Sequence, residues 1–115
     1  MPQLRRVAPI FPVTDVEASL RFYASLGFSA ERYDGEAAYG FVTRDGIELH
    51  LGQVSSGDAG RASAYLWTDD ADALAAEWQA AGAEVHLPQD TEWRQHEGAL
   101  VDPDGNVIRF GTPMG

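Results

Sequence analysis

The feature that most constrains this chain is an internal repeat. The segment VTDVEASLRFYASLGF at 13–28 and the segment TDDADALAAEWQAAGA at 68–83 align at a constant offset of 55 residues. Within that frame Asp15 matches Asp70 and Gly27 matches Gly82. A helix-capping aspartate, apolar residues at helical spacing and a terminating glycine predict one helix in each copy. The chain is therefore expected to contain one supersecondary unit used twice.

Each predicted helix carries one apolar stripe and is surrounded by strand-like segments. The stripes are Val16, Leu20, Tyr23 and Leu26 in the first copy, and Ala71, Leu74, Trp78 and Ala81 in the second. Runs rich in alternating apolar residues, bounded by turn residues, predict strands at 7–13, 29–33, 38–44, 47–53, 62–68, 84–87, 97–101 and 107–111. The order is β-α-β-β-β, twice. The linker-like segment 55–60 separates the copies, so we expect one domain over 1–115, with modules at about 1–54 and 61–115.

Composition excludes several classes of function. The chain has 115 residues, no cysteine and no lysine, which excludes thiolate, disulfide and Schiff-base chemistry. Eighteen acidic against eight basic residues give a formal net charge of −10, which disfavours nucleic acid as a partner and attracts cations. No apolar run approaches the roughly 20 residues of a membrane span, and the N-terminus lacks the pattern of a signal peptide. A cytoplasmic, non-membrane domain is expected.

Specific motifs resemble one known family. The tandem modules, the helix end Leu26-Gly27-Phe28 and the late turn at 102–106, DPDGN, are similar to the vicinal oxygen chelate superfamily. That superfamily includes glyoxalase I, extradiol dioxygenases, fosfomycin-resistance enzymes and bleomycin-resistance proteins. The resemblance implies an α+β fold in which two tandem βαββ modules form a curled mixed sheet around a central cup, with the helices on the outer face.

The same resemblance locates the metal ligands of the metal-dependent members. Their positions fall here on Ala8, Ser63, Glu48 and Arg109. Alanine has no donor atom, serine is a poor ligand for a divalent ion, and arginine repels one. Only Glu48 remains, whereas catalytic sites typically provide about three protein ligands. We therefore expect no metal and no other cofactor.

Strand alternation predicts what fills the cup instead. Ser63, Tyr65 and Trp67 alternate toward one face of their strand, while Ala64 and Leu66 face the helix. Apolar walls with few polar groups are typical of a small-molecule pocket, and aromatic planes bind flat or cationic ligands. The alternative for the aromatic residues is an ordinary place in the core. The predicted ligand-binding residues are Tyr65, Trp67, Glu48, His50, Arg109, Trp93, Phe41 and Ser63.

These features look most like the antibiotic-binding branch, typified by bleomycin-resistance proteins, which sequester a drug without chemistry. The resemblance implies a metal-free protein that binds an aromatic natural product, including a cationic one. It also implies a homodimer, with Pro9 in the arm region that subunits often exchange. Drug-binding members often read Arg-Glu-Phe before the DPDG turn, so the segment 96–98, HEG, is expected to alter a groove wall.

Two other functions are considered. One is a metal-dependent lyase or ring-cleaving dioxygenase, with a metal on Glu48 and one or more of His50, His86 and His96. The other is an interaction module, which no specific feature favours. Sequestration of a ligand, rather than catalysis, is the prediction.

Overall fold

The computed structural model describes residues 1–115 and contains eight strands and two α-helices. The first half has β1 (Ile10–Val13), α1 (Val16–Ser25), β2 (Ser29–Arg32), β3 (Tyr39–Arg44) and β4 (Ile47–Gln53). The second half has β5 (Ser63–Trp67), α2 (Ala71–Ala80), β6 (Glu84–Asp90), β7 (Gln95–Val101) and β8 (Val107–Pro113). A short 3₁₀ turn at Ser56–Asp58 lies between the halves. Neither helix has the length and apolar character needed to cross a membrane.

Each half forms its own four-stranded mixed sheet. The strand orders are β1-β4-β3-β2 and β5-β8-β7-β6, and in each the first and last strands of the half pair in parallel. The α+β fold with two equivalent modules is confirmed, and each module has three strands after its helix. β1 begins at Ile10, later than predicted, while β6 extends to Asp90 and β7 begins at Gln95. The latter two strands lengthen because pairing resumes beyond a register shift between His86 and Gln89.

The two predicted helices begin and end at the repeated residues. The carboxylate of Asp15 accepts a hydrogen bond from the amide of Ala18, and that of Asp70 accepts one from Ala73. Gly27 and Gly82 have φ angles of 91° and 89°, a left-handed conformation that favours glycine after a helix. The repeat in the sequence is thus a repeat of helix boundaries.

The core lies between each helix and one face of its sheet. All four stripe residues of α1 are buried, and in α2 Ala71 and Trp78 are buried with Leu74 partly so. The prediction for Ala81 is wrong: this residue is the C-cap of α2 and is exposed, whereas Ala75 is buried. The two copies differ at this position, since Leu26, the C-cap of α1, is buried. On the sheets, the buried side chains include Phe11, Val13, Val42, Leu49, Leu51, Leu100, Ile108 and Phe110.

The DPDGN turn joins the two modules through buried polar groups. The carboxylate of Asp102, 4% exposed, accepts a hydrogen bond of 3.0 Å from the hydroxyl of Tyr23 on α1. The side-chain amide of Asn106 donates to the carbonyl of Pro12 at 3.0 Å and accepts from the amide of Ala62 at 3.2 Å. Burial and the neighbouring Asp102 raise the pKa of Tyr23, which keeps its hydroxyl a donor.

A second set of contacts joins the modules at the helices. The indole N–H of Trp78 donates to the carbonyl of Leu26 at 3.0 Å. The guanidinium of Arg44 binds both carboxylate oxygens of Glu77, at 2.6 and 3.1 Å, and also donates to the carbonyl of Leu26. These contacts fix α2 against the end of α1, and therefore fix one sheet relative to the other.

We expect Tyr23→Phe to destabilise the protein by about 1–3 kcal/mol, because the buried carboxylate of Asp102 then loses a hydrogen-bond donor. Chemical denaturation measures the change. The matched control is Tyr33→Phe, since Tyr33 is an exposed tyrosine whose substitution is expected to leave the unfolding free energy unchanged. Equal stability of both variants would show that the Tyr23–Asp102 contact does not hold the modules together.

Candidate ligand-binding site

Each sheet has a second face that its helix does not cover. On the first sheet this face carries Phe41, Glu48 and His50, and on the second it carries Tyr65 and Arg109, as strand alternation requires. Trp67 lies on the same side of β5 as Tyr65. The side chains of these faces are exposed or partly exposed. They are the surfaces on which a ligand has access to the protein.

A cavity of about 460 Å³ lies between the start of β4 and the whole of β5. Four of the eight predicted ligand-binding residues line it: Glu48, Ser63, Tyr65 and Trp67. Nine of its 13 lining residues are hydrophobic. Of all 13, Glu48 is the one with a charged side chain. Its volume and apolar walls match the small-molecule pockets of proteins, which measure roughly 300–1,000 Å³.

Tyr65 and Trp67 form the aromatic wall of this cavity. Their ring centroids are 4.7 Å apart with an interplanar angle of 54°. Trp67 is 64% exposed, which excludes the alternative that it is a core residue. Tyr65 is partly buried, and its side chain also stands away from the helix. The wall therefore presents one accessible aromatic plane and one supporting ring.

Glu97 holds Tyr65 and Trp93 in place. Its Oε1 accepts hydrogen bonds from the hydroxyl of Tyr65 at 2.8 Å and from the indole N–H of Trp93 at 3.0 Å. Its Oε2 lies 3.8 Å from the guanidinium of Arg109, and its side chain is only 10% exposed. Burial, together with the hydrogen bond and charge of Glu97, raises the pKa of Tyr65 to about 12, so its hydroxyl remains a donor.

Trp93 and Arg109 do not line the first cavity but contact Glu97, which binds Tyr65 of its wall. With Glu97 they line a neighbouring cavity of about 440 Å³ on the open face of the second sheet. The sequence analysis did not select Glu97 as a ligand-binding residue. Its signal is the strand register, since Ala99 pairs with Arg109 and Glu97 is two residues before Ala99 on the same face.

Glu48 belongs to a chain of polar contacts on the first sheet. The hydroxyl of Tyr39 is 2.8 Å from Nδ1 of His50, and Nε2 of His50 is 2.5 Å from Oε2 of Glu48. The guanidinium of Arg6 donates to Oε1 of Glu48 at 2.9 Å. The hydrogen bond from His50, and then the charge of Arg6, hold the pKa of Glu48 below its usual value despite some burial. Glu48 is therefore an ionised carboxylate.

Phe41 and His50 support this chain from outside the cavity. Their rings meet edge to face with centroids 4.9 Å apart. Neither residue lines the first cavity, although both lie on the same sheet face as Glu48. Sequence reasoning missed the contact of Arg6 with Glu48, because the N-terminal segment has no periodicity that indicates where its side chains point.

Comparison with known proteins identifies the family. Residues 4–110 match the Glyoxalase/Bleomycin resistance protein/Dioxygenase superfamily. The chain belongs to this superfamily. No curated protein sequence matches it. Among solved structures, it is similar to TnmS3, an antibiotic binding protein from a Streptomyces species, with 30% identity, a TM-score of 0.80 and coverage of 98% of this chain and 99% of the other.

Two further structures belong to the same comparison. The bleomycin-binding protein from bleomycin-producing Streptomyces verticillus, complexed with copper(II)-bleomycin, is 27% identical, with a TM-score of 0.82 and coverage of 100% and 99% of the two chains. A bleomycin resistance determinant encoded on the transposon Tn5 is 21% identical, with a TM-score of 0.81 and coverage of 96% and 98%. The last of these shows the fold alone.

The residues present do not fit a divalent metal in this superfamily member. Both carboxylate oxygens of Glu48 already have partners, Arg6 and His50. Arg109 brings a positive charge to another of the four positions that hold the metal in metal-dependent members. His86 instead contacts Glu84, and His96 lies between two aspartates on α2 and β6. The chain has no group of three or more histidine, aspartate and glutamate side chains arranged to hold a metal ion. The alternative in which His86 or His96 joins Glu48 at a metal gains no support, because Glu84 holds the first of these histidines and Asp72 and Asp90 hold the second.

The segment 96–98 differs from Arg-Glu-Phe at His96 and Gly98, and neither of these positions lies on the open face of the sheet. Glu97 faces the open side of the sheet, whereas His96 is bound to the carboxylates of Asp72 and Asp90, each at 2.8 Å. Gly98 is buried on the helix side, where an added Cβ would lie 2.9 Å from the ring of Phe110. The expectation that Gly98 alters a groove wall is therefore wrong, because alternation turns this position toward the core.

Proposed function

We propose that this protein binds an aromatic natural product of the antibiotic type and sequesters it without chemical conversion. The observation that carries the proposal is the apolar cavity of about 460 Å³ with Tyr65 and Trp67 on one wall and the carboxylate of Glu48 on another. Binding of this kind requires a complementary surface and no reacting group. The antibiotic-binding neighbours at 27% and 30% identity support the same function for this chain.

The arrangement of the wall supports an aromatic ligand in particular. Tyr65 is fixed by its hydrogen bond to Glu97, so its ring already has its orientation before a ligand arrives. Trp67, beside it, presents an accessible indole plane. When a flat ligand stacks on these rings, the protein loses little conformational freedom. Preorganisation of this kind favours affinity.

We further propose that the working form is a homodimer in which the second copy covers the open sheet faces. The support is a set of exposed apolar side chains outside the first cavity, Ile10, Leu87 and Trp93. The segment before β1 adds exposed Met1, Leu4 and Val7, which suits an arm exchanged between subunits. Large exposed apolar surfaces mark sites of association.

Light scattering at micromolar concentration is expected to give the mass of a dimer, and the mass of a monomer would contradict the proposal.

A fluorescence screen against antibiotic classes, bleomycin among them, tests the function. Binding is expected to change tryptophan emission and to saturate at one ligand per cavity. Mass spectrometry of the recovered ligand is expected to show an unchanged molecule. A converted ligand would contradict sequestration and support an enzyme.

Trp67→Ala is expected to weaken binding of the antibiotic found in that screen by about 1–3 kcal/mol, the range for loss of a stacking aromatic ring. Because Trp67 is exposed, the unfolding free energy should change by no more than about 0.5 kcal/mol. Calorimetric titration and denaturation measure the two quantities. Tyr33→Ala removes an exposed aromatic ring away from the cavity and is the control. Unchanged affinity of Trp67→Ala would place the ligand elsewhere.

A further inference from the structure

We infer that Gly111 on β8 is a positioning residue of the candidate site, because the absence of a side chain there allows Tyr65 to lie across the second sheet and form the aromatic wall. The inference rests on the proposed function, and it adds a residue that acts on the wall without touching the ligand. Gly111, Tyr65 and Glu97 all belong to the second sheet. Their arrangement therefore does not depend on the path of the segment before β1 or on how two copies associate.

Gly111 occupies the point over which Tyr65 must pass. In the sheet, Gly111 pairs with Trp67 on β5 and with Glu97 on β7. Tyr65 lies two residues before Trp67, opposite Arg109, yet its hydroxyl reaches Glu97 on the other side of β8. The ring of Tyr65 therefore crosses β8 at Gly111, and Gly111 is buried although this face of the sheet is open.

A side chain at position 111 would collide with Tyr65. A Cβ built on Gly111 would lie within 3.0 Å of the hydroxyl oxygen of Tyr65, a separation that real Cβ atoms essentially never show. The next atom of Tyr65, Cζ, would lie at 3.4 Å, which is ordinary van der Waals contact. The side-chain oxygen of Gln95, at 3.1 Å, is the far end of a flexible side chain and can move. The conflict is thus with one atom, the hydroxyl oxygen that binds Glu97.

The backbone gives no other reason for a glycine at this position. Gly111 is not among the glycines with a positive φ angle, and it lies inside a regular strand. A glycine in the interior of a strand weakens it, because it has no side chain to pack. The close approach of Tyr65 therefore explains why this strand position carries a glycine.

The internal repeat supplies a counterpart without this constraint. Gly52 occupies on β4 the place that Gly111 occupies on β8, and Ile10 occupies the place of Tyr65. A Cβ built on Gly52 would meet Tyr39 at 3.4 Å and Ile10 at 3.6 Å, both ordinary contacts. Alanine therefore fits this strand position in the first module and collides in the second.

The test is a double-mutant cycle on the full chain, with acridine as a flat aromatic probe that is neutral at mildly alkaline pH. Gly111→Ala should weaken acridine binding by at least about five-fold, the lower end of the range for loss of a stacking ring. In a Tyr65→Phe background, which lacks the obstructing oxygen, the same substitution should change the affinity by less than about two-fold. Gly52→Ala is the matched control, and its affinity should also stay within about two-fold of that of the unmodified protein. Fluorescence titration measures these affinities.

A second readout needs no bound molecule. Burial and the contact with Glu97 raise the pKa of Tyr65 to about 12. Displacement of the ring from β8 should bring this pKa down toward the ordinary tyrosine value near 10. NMR titration of protein labelled with carbon-13 in its tyrosine rings should show the fall in Gly111→Ala and not in Gly52→Ala.

Equal losses of affinity from Gly111→Ala in the two backgrounds, or an unchanged pKa of Tyr65, would overturn the inference. The proposed function would still stand in that case if the unmodified protein binds acridine. If Gly111→Ala does not fold, folding of the double variant with Tyr65→Phe supports the inference, and failure of the double variant to fold contradicts it. If the unmodified protein does not bind acridine, the inference fails as a statement about binding, and the antibiotic screen decides the proposed function separately.

Discussion

A four-stranded sheet has two faces, and each module of this protein has one ten-residue helix to cover them. Phe11, Val42, Leu51, Ile108 and Phe110 therefore turn to the helix side and are buried there. The residues between them in sequence must face the opposite side, because side chains alternate along a strand. The open faces are the consequence of this constraint, and they carry the aromatic and charged side chains of the candidate site.

The open faces become a site only because the modules are fixed relative to each other. Tyr23 binds Asp102, Asn106 binds Pro12, and Trp78 binds Leu26, each across the boundary between the halves. These buried contacts bring the start of β4 beside β5, where Glu48 lines the same cavity as Tyr65 and Trp67. The buried hydrogen bonds between the modules thus position Glu48 and the aromatic wall of the cavity.

The sequence allowed prediction of everything that depends on local periodicity. The repeat predicted both helices with their caps, and alternation predicted the outward direction of Tyr65 and Trp67. What depends on contacts between distant segments could not be predicted. The bracing of Trp93 and Tyr65 by Glu97 depends on the register of β7 against β8, and the contact of Arg6 with Glu48 depends on the path of a segment without periodicity.

The central claim is that the ligand binds in the cavity between the start of β4 and β5, where Glu48, Tyr65 and Trp67 line the walls. The most direct measurement is a titration of the isotope-labelled protein with the antibiotic that it binds. Changes in the backbone amide NMR shifts report which residues respond. The account predicts that the largest shifts fall on Glu48 and on β5, and that the exposed sides of α1 and α2 do not respond. Shifts concentrated on the helices, with β4 and β5 unchanged, would contradict it.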